Sequence, residues 1–304
     1  MTRRIAIMTD EPGWHGEVLR SAFTRRRCEA VCVSLAECRI DLDCEHGLFI
    51  PGFSRSLPDG VLVRGIAAGT LEQITLRLGI LHALRHLGVP VYNDARAIER
   101  SVDKSMTSFL LKAARVPTLP TWVTESVGEA RRYAMRETAA GRELVVKPLF
   151  GSQGVGLKRV KSVGELPAPA EYHEVFYLQR FVDTGEGRWH DWRVFVVGHC
   201  AVAAMVRRGK HWIANVAQGA TCESAALDEE LRALAEGATR ALDMDYAGVD
   251  IIRDGDGSAY VIEVNSMPAW AGLQEVSEID IAQTIVDDLL TRRLPRQALD
   301  SVSL

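Results

Sequence analysis

The chain has 304 residues, of which 47% are apolar and 25% are charged, and both fractions are ordinary for a globular protein. Its formal net charge of -4 excludes a global basic field that would attract nucleic acid. No apolar run is long enough to span a bilayer and the N-terminus lacks the apolar core of a signal peptide, so we expect a cytoplasmic protein without a membrane partner.

The first part of the chain alternates predicted strands and helices. Strands are expected over residues 4–8, 30–35 and 60–64, and a long amphipathic helix over 71–87 precedes a short strand over 89–92. This βαβ order predicts a small open parallel sheet. A glycine-rich phosphate fingerprint does not follow the first strand, which argues against a dinucleotide site there.

Two features of this region concern metal or substrate binding. His15 follows the first strand at the end where open sheets bind ligands, and we expect it in a loop, either as a plain loop residue or as a substrate contact. Cys28, Cys32, Cys38 and Cys44 fall close together, but none forms the C-x-x-C pair of many zinc sites. Reduced thiols are therefore favoured over a metal site.

The remainder of the chain reads as two further units. Pro117 and Pro120 interrupt it after two helices, and a small α+β unit follows. A run of strands then continues to a closing helix over residues 279–293. We expect an N-terminal α/β domain over 1–94, a lid subdomain over 117–181, and a catalytic subdomain formed by 95–116 and 182–304.

The most informative segment is a predicted β-hairpin near the end of the chain. Asp250 lies on its first strand, and Glu263 and Asn265 lie on its second, after a Gly/Asp turn. Residues two apart on a strand share a face, so these three side chains meet if the hairpin closes in register. Three oxygen ligands on one face suit Mg²⁺ shared with nucleotide phosphates. The alternative, a solvated acidic face, is weaker because the neighbouring residues are apolar.

A lysine followed by a glycine-rich loop is the second signal. Lys147 ends an apolar strand, and residues 151–156 follow it. A flexible glycine loop lets backbone N–H groups approach phosphate oxygens, with the lysine as a fixed positive charge. A strand and not a helix is expected after the loop, so this is a strand–loop–strand flap and not a Walker A loop. A plain glycine-rich hairpin is the alternative.

Two arginines are expected on strands that precede the hairpin in the chain. Arg193 shares a strand face with Asp191, and Arg207 directly follows an apolar strand segment. They would neutralise phosphate charge beside Mg²⁺, or else form structural salt bridges to the acidic hairpin itself. Asn215 lies in a loop with a glycine behind it and either orients substrate or shapes a turn.

Two weaker candidates complete the set. Lys104 begins a helix and would, taken alone, be a surface lysine. Residues 179–182 join the small unit to the later strands, which suits an adenine pocket that reads the base through backbone groups.

The order of these motifs is recognisable. They run V-D-K at Lys104, V-V-K-P with G-S-Q-G-V-G at Lys147, Q-R-F-V, D-W-R-V-F-V-V-G, A-V-A-A-M-V-R-R, Y-A-G-V-D-I-I-R and V-I-E-V-N-S-M-P-A-W-A-G-L-Q. The series resembles the ATP-grasp superfamily, and specifically the RimK-type α-L-glutamate ligases, over residues 60–290. The V-L-V-R-G stretch at 61–65 also looks like the family's N-terminal domain.

The resemblance implies a mixed α/β and α+β ATP-grasp fold with an N-terminal open parallel-sheet domain, a small central lid and a C-terminal catalytic subdomain. It implies an ATP-dependent ligase that joins a small-molecule carboxylate to an amino-acid amine through an acyl phosphate. ATP and two Mg²⁺ ions, or Mn²⁺ in their place, would be the cofactors, and a homo-oligomer is compatible with the chain. The family's motifs map residue by residue: phosphate contacts at Lys104, Lys147, Ser152, Gln153, Gly154 and Gly156; adenine pocket at Gln179, Arg180, Phe181 and Val182; γ-phosphate and acyl phosphate at Arg193, Arg207 and Asn215; Mg²⁺ at Asp250, Glu263 and Asn265.

Departures from the family pattern concern the acceptor and not the ATP chemistry. Members that modify ribosomal protein have a basic residue and paired glycines where this chain has Gln218, Gly219 and Ala220, and Trp270 replaces a smaller residue. Trp192 and Trp212 add further aromatic rings, which indicates a flat or aromatic acceptor. We therefore favour glutamate addition to a pterin- or furan-type one-carbon cofactor precursor. The alternatives are glutamate addition to a protein C-terminus, a kinase, or a nucleotide-binding regulator.

Overall fold

The computed structural model describes residues 2–53, 56–151, 154–184 and 189–294. Within these residues the chain forms a parallel sheet, an antiparallel sheet of the small unit, a larger antiparallel sheet and a two-stranded ribbon. A bilayer-spanning helix is not found in the described part of the chain.

The N-terminal unit is built on the parallel sheet that the alternating apolar segments predict. Its elements are β1 (Arg4–Met8), α1 (Gly13–Arg25), β2 (Glu29–Val33), β3 (Arg39–Ile40), β4 (Leu48–Phe49), β5 (Gly60–Val63), α2 (Leu71–His86) and β6 (Val91–Tyr92). The strand order is β2-β1-β5-β6. The central strands β1 and β5 are buried almost throughout, as expected where helices cover both faces of a parallel sheet.

Two helices, α3 (Ala95–Val102) and α4 (Lys104–Ala113), lead into the small unit. That unit contains β7 (Thr121–Thr124), α5 (Val127–Ala139), β8 (Leu144–Lys147), β9 (Lys158–Val160) and β10 (Phe176–Arg180). Its antiparallel sheet has the order β7-β10-β8-β9 and packs on α5 around a separate apolar cluster. The glycine-rich loop joins β8 to β9, so the expected strand–loop–strand arrangement is confirmed.

The last unit is the larger antiparallel sheet. Its elements are β11 (His190–Val197), β12 (Cys200–Arg208), β13 (Thr221–Ser224), α6 (Glu229–Leu242), β14 (Tyr246–Arg253), β15 (Ala259–Asn265), α7 (Ala271–Glu275) and α8 (Ile281–Asp288), followed by a π-helical turn over Leu289–Arg293. The strand order is β13-β12-β11-β14-β15. Helix α6 covers one face, because its buried residues recur at helical spacing along that side.

The structure differs from the predicted elements at several places. His15 lies in the first turn of α1 and not in a loop, because α1 begins at Gly13. The ribbon of β3 and β4, the edge strand β13 and the short helix α7 were not predicted, since each is too short to show a period.

The six cysteines are free thiols, and the described residues contain no group of three or more His, Cys, Asp or Glu side chains placed to hold a metal ion.

One apolar cluster joins the N-terminal sheet to the larger antiparallel sheet. Ile7 and Phe23 from the N-terminal unit belong to the same buried cluster as Phe195, Tyr246 and residues of α8. The rings of Tyr92 and Tyr246 stack with centroids 5.5 Å apart across the junction. The two units therefore share a core, which fixes the end of β5 relative to the loop after β15.

Asn93 is the polar link at this junction, and its side chain is fully buried. Its Nδ2 donates to the carbonyls of Tyr246 (2.7 Å) and Ser266 (2.8 Å). Its Oδ1 accepts from the backbone N–H groups of Asp245 (2.6 Å) and Tyr246 (3.2 Å). One side chain thus satisfies backbone groups at the start of β14 and just after β15.

The substitution Asn93→Ala should destabilise the protein by about 2–4 kcal/mol, because it strands several buried backbone groups without partners. Urea unfolding followed by circular dichroism measures this loss. The matched control is Asn215→Ala, since Asn215 is only half-buried and, among the described residues, its Oδ1 accepts only from Ala217 N. The control should lose about 1 kcal/mol or less, and equal losses from the two variants would contradict the role of Asn93.

Candidate active site

The predicted hairpin closes in the register that brings its oxygen donors together. Asp250 pairs with Glu263, and Gly248 pairs with Asn265, with a bulge immediately after Asp250. Paired residues and residues two apart share a face, so the three side chains stand on one side of the sheet. Glycine at position 248 lets Pro268 and Arg193 approach the backbone closely. A Cβ there would lie 2.8 Å from Pro268 Cβ and 3.1 Å from Arg193 Cδ.

Both oxygens of Asp250 are engaged by arginines. Arg193, directly opposite on β11, bonds to Oδ1 through Nε and to Oδ2 through Nη2 at 2.8 Å. Arg207 Nη2 lies 2.9 Å from the same Oδ2, and Arg207 also bonds to both oxygens of Asp191 at 2.7 Å. The two arginines expected at phosphate groups thus form the salt bridges to the acidic hairpin that were the alternative from the sequence.

Burial and pairing move the pKa values of the two aspartates in opposite directions. Burial alone would raise the pKa of Asp250, but Arg193 and Arg207 outweigh it and hold the pKa below its usual value. Asp191 bonds to Arg207, but the effect of burial is larger and raises the pKa of Asp191 to about 6. Asp250 is therefore ionised at neutral pH.

Two lysines face the hairpin from the other side of the cleft. Lys147 Nζ donates to Gln179 Oε1 at 2.7 Å, and Lys104 Nζ donates to the carbonyl of Gly151 at 2.8 Å. Burial lowers the pKa of Lys147 to about 8, although Glu263 opposes the shift. Burial also lowers the pKa of Lys104, again against Glu263. Cations with this desolvation cost suit an anionic ligand.

These groups line one cleft between the small unit and the larger sheet. Most of the residues singled out from the sequence lie on its wall: Lys104, Lys147, Gly154, Gln179, Arg180, Phe181, Val182, Arg207, Asn215, Asp250 and Glu263. Arg193, Gly156 and Asn265 are not on the wall, and Arg193 lies behind it against Asp250. Ser152 and Gln153 fall outside the described residues.

Some side chains on the wall are used differently from the expectation. Arg180 turns its guanidinium to Glu137 on α5, with Nη2 2.9 Å from Oε2. Gln179 is buried and holds Lys147, with its amide donating to Thr121 and Tyr177. Only the backbone and the neighbouring Phe181 and Val182 are left from this segment to meet a base.

Aromatic side chains at the rim were only partly foreseen. Phe181 packs edge-on against Trp189 and Trp212, with ring centroids 6.1 and 6.0 Å apart. Trp189 was missed, because nothing local marks a tryptophan after a loop as a pocket residue. Trp270 was expected near the acceptor but is buried, with 1% of its surface exposed, and Trp192 lies under the guanidinium of Arg253.

The glycine loop lies close to the segment between β12 and β13. Gly154 has φ +71°, and a Cβ there would come within 2.7 Å of Ile213 Cγ2 and 2.9 Å of Gln218 Nε2. Asn215, in the same segment, accepts from Ala217 N and caps a short 3₁₀ turn. Glycine is therefore required at position 154 both for its backbone angle and for the contact.

The oxygen donors of the hairpin suit a hard divalent cation. Glu263 has no hydrogen bond or ion pair among the described residues, and its carboxylate lines the cleft. Asn265 donates from Nδ2 to Gly248 O at 3.4 Å, and its Oδ1 has no hydrogen-bond partner among the described residues. Carboxylate and amide oxygens are ligands that Mg²⁺ accepts, whereas Asp250 can take part only by sharing its charge with the two arginines.

Comparison with known proteins assigns the chain to a family. The model of the RimK-like ATP-grasp domain matches residues 102–289. The chain belongs to the RimK-like ATP-grasp family. It is similar to the tetrahydromethanopterin:alpha-L-glutamate ligase of Methanococcus maripaludis, with 35% identity over 94% of this chain and 98% of that protein. It is 38% identical to the enzyme of the same name from Methanocaldococcus jannaschii, over 70% of this chain and 74% of that protein.

Solved structures agree on the fold of this RimK-like protein. The ATP-grasp ligase PsnB, complexed with a precursor variant, Mg and ADP, has a TM-score of 0.74 at 19% identity, over 95% of this chain and 98% of that one. A RimK domain ATP-grasp protein from Sphaerobacter thermophilus has a TM-score of 0.68 at 22% identity, over 94% of this chain and 99% of that one. The expected ATP-grasp fold is confirmed, and the chain is an ATP-dependent ligase of the amide-forming class.

The pKa of Lys147 should appear in the pH dependence of stability. Unfolded lysine keeps its proton up to its ordinary pKa near 10.5, whereas folded Lys147 loses it near 8, so the unfolded chain binds more protons between these values. Relative to Lys147→Met, the wild-type protein should gain about 1 kcal/mol of unfolding free energy from pH 7.5 to 9.

Urea unfolding at both pH values measures this difference. Lys112→Met is the control, because Lys112 is exposed on α4, and it should keep the wild-type pH dependence. A Lys147→Met variant with the same pH dependence as wild type would contradict the lowered pKa.

Proposed function

We propose that this ligase adds L-glutamate to the carboxylate of a small cofactor precursor of the pterin type. The names of the two relatives described above motivate the substrates, because both are tetrahydromethanopterin:alpha-L-glutamate ligases. The single structural observation behind the chemistry is the cleft itself, where Lys104 and Lys147 lie across from the carboxylate of Glu263. Cations opposite an oxygen-donor set are what binding of a nucleotide triphosphate with Mg²⁺ needs.

In this proposal ATP lies with its phosphates between the two lysines and the glycine loop. Lys104 and Lys147 pair with phosphate oxygens, which replaces the hydration that burial has removed from both ammonium groups. The backbone N–H groups around Gly154 and Gly156 add donors, as Ser152 and Gln153 would. The base lies against the segment at Phe181 and Val182, with Gln179 and Arg180 supporting that segment from behind.

Glu263 and Asn265 would hold Mg²⁺, with Asp250 sharing its charge, and we propose two ions for which Mn²⁺ can substitute. When bound, Mg²⁺ neutralises phosphate charge and polarises the phosphoryl oxygens. The donor set fits this task because two of its three members have oxygens free of other partners.

The reaction proceeds in two displacements. An oxygen of the acceptor carboxylate attacks the γ-phosphorus of ATP, ADP leaves, and an acyl phosphate forms. The glutamate amine then attacks the acyl carbon, and inorganic phosphate leaves with the former carboxylate oxygen. Arg207, with Arg193 behind it, and Asn215 address the γ-phosphate and the acyl phosphate, so that negative charge is stabilised as it moves.

Water has to be kept from the acyl phosphate until the amine reacts. The small unit with its glycine loop is the proposed lid, and contact between Gly154 and the segment around Ile213 is its closed edge. The substrates are small molecules of the cytoplasm, so the proposal requires no nucleic acid or membrane partner.

The direct test combines phosphate release with mass spectrometry. Purified protein with ATP, Mg²⁺, L-glutamate and tetrahydromethanopterin should release phosphate only when both substrates are present. The product should carry one or more additional glutamyl residues. Phosphorylated acceptor without amide would favour a kinase, and nucleotide binding without turnover would favour a regulator.

The substitution Glu263→Gln should lower kcat by about 10²-fold or more, because among the described residues it removes the one carboxylate of the cleft wall that has no salt bridge. The melting temperature should stay within a few degrees of wild type, since Glu263 forms no hydrogen bond or salt bridge with the described residues and acts on Lys104 and Lys147 only through its charge. Glu223→Gln is the control, because Glu223 is exposed on β13 of the same sheet and pairs only with Arg208. Full activity in Glu263→Gln would contradict its role at the metal.

A further inference from the structure

A second cationic group lies outside the cleft, where the N-terminal sheet meets the loop after β15. Arg64 directly follows β5, at the carboxyl end of the parallel sheet, where open sheets bind ligands. Its Nη1 donates to the carbonyl of Met267 at 3.1 Å. Met267 is two residues beyond Asn265, a span of at most about 7 Å of extended chain. Arg64 is therefore a close neighbour of the hairpin that we assign to Mg²⁺.

Among the described residues, Arg64 has no carboxylate partner. The other arginines near the site do have one: Arg193 and Arg207 pair with aspartates, and Arg180 pairs with Glu137. Burial lowers the pKa of Arg64, and only the phenol of Tyr246 opposes the shift. A partly buried guanidinium without a counter-ion is unfavourable unless a ligand supplies one.

The surroundings of Arg64 contain more donors than acceptors. Arg64 Nε and Trp270 Nε1 are both buried with no hydrogen-bond partner among the described residues. The guanidinium lies over the Trp270 indole, with Cζ 5.1 Å from the ring centroid. Unpaired buried donors are rare in folded proteins, and two beside each other indicate a missing acceptor.

His15 adds a further donor to the same cluster. Its ring lies 4.5 Å from the Trp270 ring, and its Nε2 accepts from Trp270 N at 3.1 Å. Burial, with the charge of Arg64, lowers the pKa of His15 to about 4, so the ring is neutral at pH 7. A neutral ring that accepts at Nε2 has its proton on Nδ1, where it can be donated. Both His15 and Arg64 are half-buried and not sealed from solvent.

We propose that Arg64, with His15 beside it, binds a substrate carboxylate that is not the one being activated. This inference rests on the proposed function, because both substrates of that reaction are acids. The carboxylate comes either from L-glutamate, which keeps two after condensation, or from the acceptor. In either case it supplies the counter-ion that Arg64 lacks and holds the substrate at the edge of the cleft. Arg64 would then set the position of the substrate relative to the hairpin.

Steady-state kinetics of amide formation test the assignment. Wild type, Arg64→Lys and Arg64→Met are compared in two series. In the first, L-glutamate is varied at saturating tetrahydromethanopterin; in the second, tetrahydromethanopterin is varied at saturating L-glutamate. Arg64→Met should raise KM for one substrate by about 10- to 100-fold, the loss expected for a charge-assisted hydrogen bond, with a smaller rise for Arg64→Lys. The substrate whose KM rises identifies the source of the carboxylate.

The matched control is Arg4→Met. Arg4 likewise donates to one backbone carbonyl, of Gly52, and lies over an aromatic ring, of Phe53, but at the opposite end of the same sheet. This control should leave both KM values unchanged. Calorimetric titration with ADP and Mg²⁺ should give the wild-type Kd for every variant, which shows that each variant is folded and that the nucleotide site is intact.

If both KM values in Arg64→Met stay within about two-fold of wild type, the arginine is only structural and the inference is overturned while the proposed function stands. If wild type forms no amide with these substrates, the proposed function fails instead. Arg64 is then tested by calorimetric binding of L-glutamate and of glutarate to the ADP-loaded protein. Equal affinity in wild type and Arg64→Met, or no binding by wild type, would also overturn the inference.

Discussion

Buried charge on one face of the larger antiparallel sheet governs the geometry of the cleft. Asp250 lies between two arginines, and Arg207 in turn holds Asp191. Removing these ions from water is costly, and the cost is offset only because every member of the group has an opposite charge at hydrogen-bond distance. The strand register allows this, since Arg193 lies directly opposite Asp250 on the neighbouring strand. The floor of the cleft is therefore rigid and charged before any ligand arrives.

The lysines on the other wall, unlike the charges around Asp250, have no salt bridge with the described residues. Lys147 is partly buried at the wall of the cleft, and the amide oxygen of Gln179 is its only hydrogen-bond acceptor within the described residues. Its ammonium group gains little from the neutral amide, whereas phosphate oxygens would restore the lost solvation. The charges around Asp250 are balanced, whereas the lysines opposite them are not. An anionic ligand with its own metal ion would balance the charge of these lysines.

The shared core between the two larger units gives the site its second edge. Asn93 and the stacked pair of Tyr92 and Tyr246 hold the N-terminal sheet against the start of β14. The same junction brings Arg64 to the carbonyl of Met267 and His15 to Trp270. The N-terminal sheet and the larger antiparallel sheet thus share one core, so Arg64 and the hairpin are held at a fixed separation.

The sequence alone was sufficient for the elements with strong local signals. The alternation of apolar and acidic residues around a Gly/Asp turn specifies the hairpin, because a shift by one residue would turn every side chain to the wrong face. The glycine loop after Lys147 likewise predicts a flap, since the residues on both sides have strand character. Short elements such as β13 and α7 have too few residues for a period, and the expected loop at His15 is the first turn of α1.

Partner choice, in contrast, was decided by the tertiary structure. No local signal states that Arg180 pairs with Glu137, that Trp270 is buried, or that both arginines near the hairpin are held by aspartates. These contacts join residues far apart in the chain, and several side chains could have competed for each. The sequence determined which chemical groups the protein has and on which faces of its strands they lie. Packing of the three sheets decided which of those groups neutralise one another and which, such as Glu263, Lys147 and Arg64, have no salt bridge among the described residues, because compensation of buried charge depends on distances that only the folded chain sets.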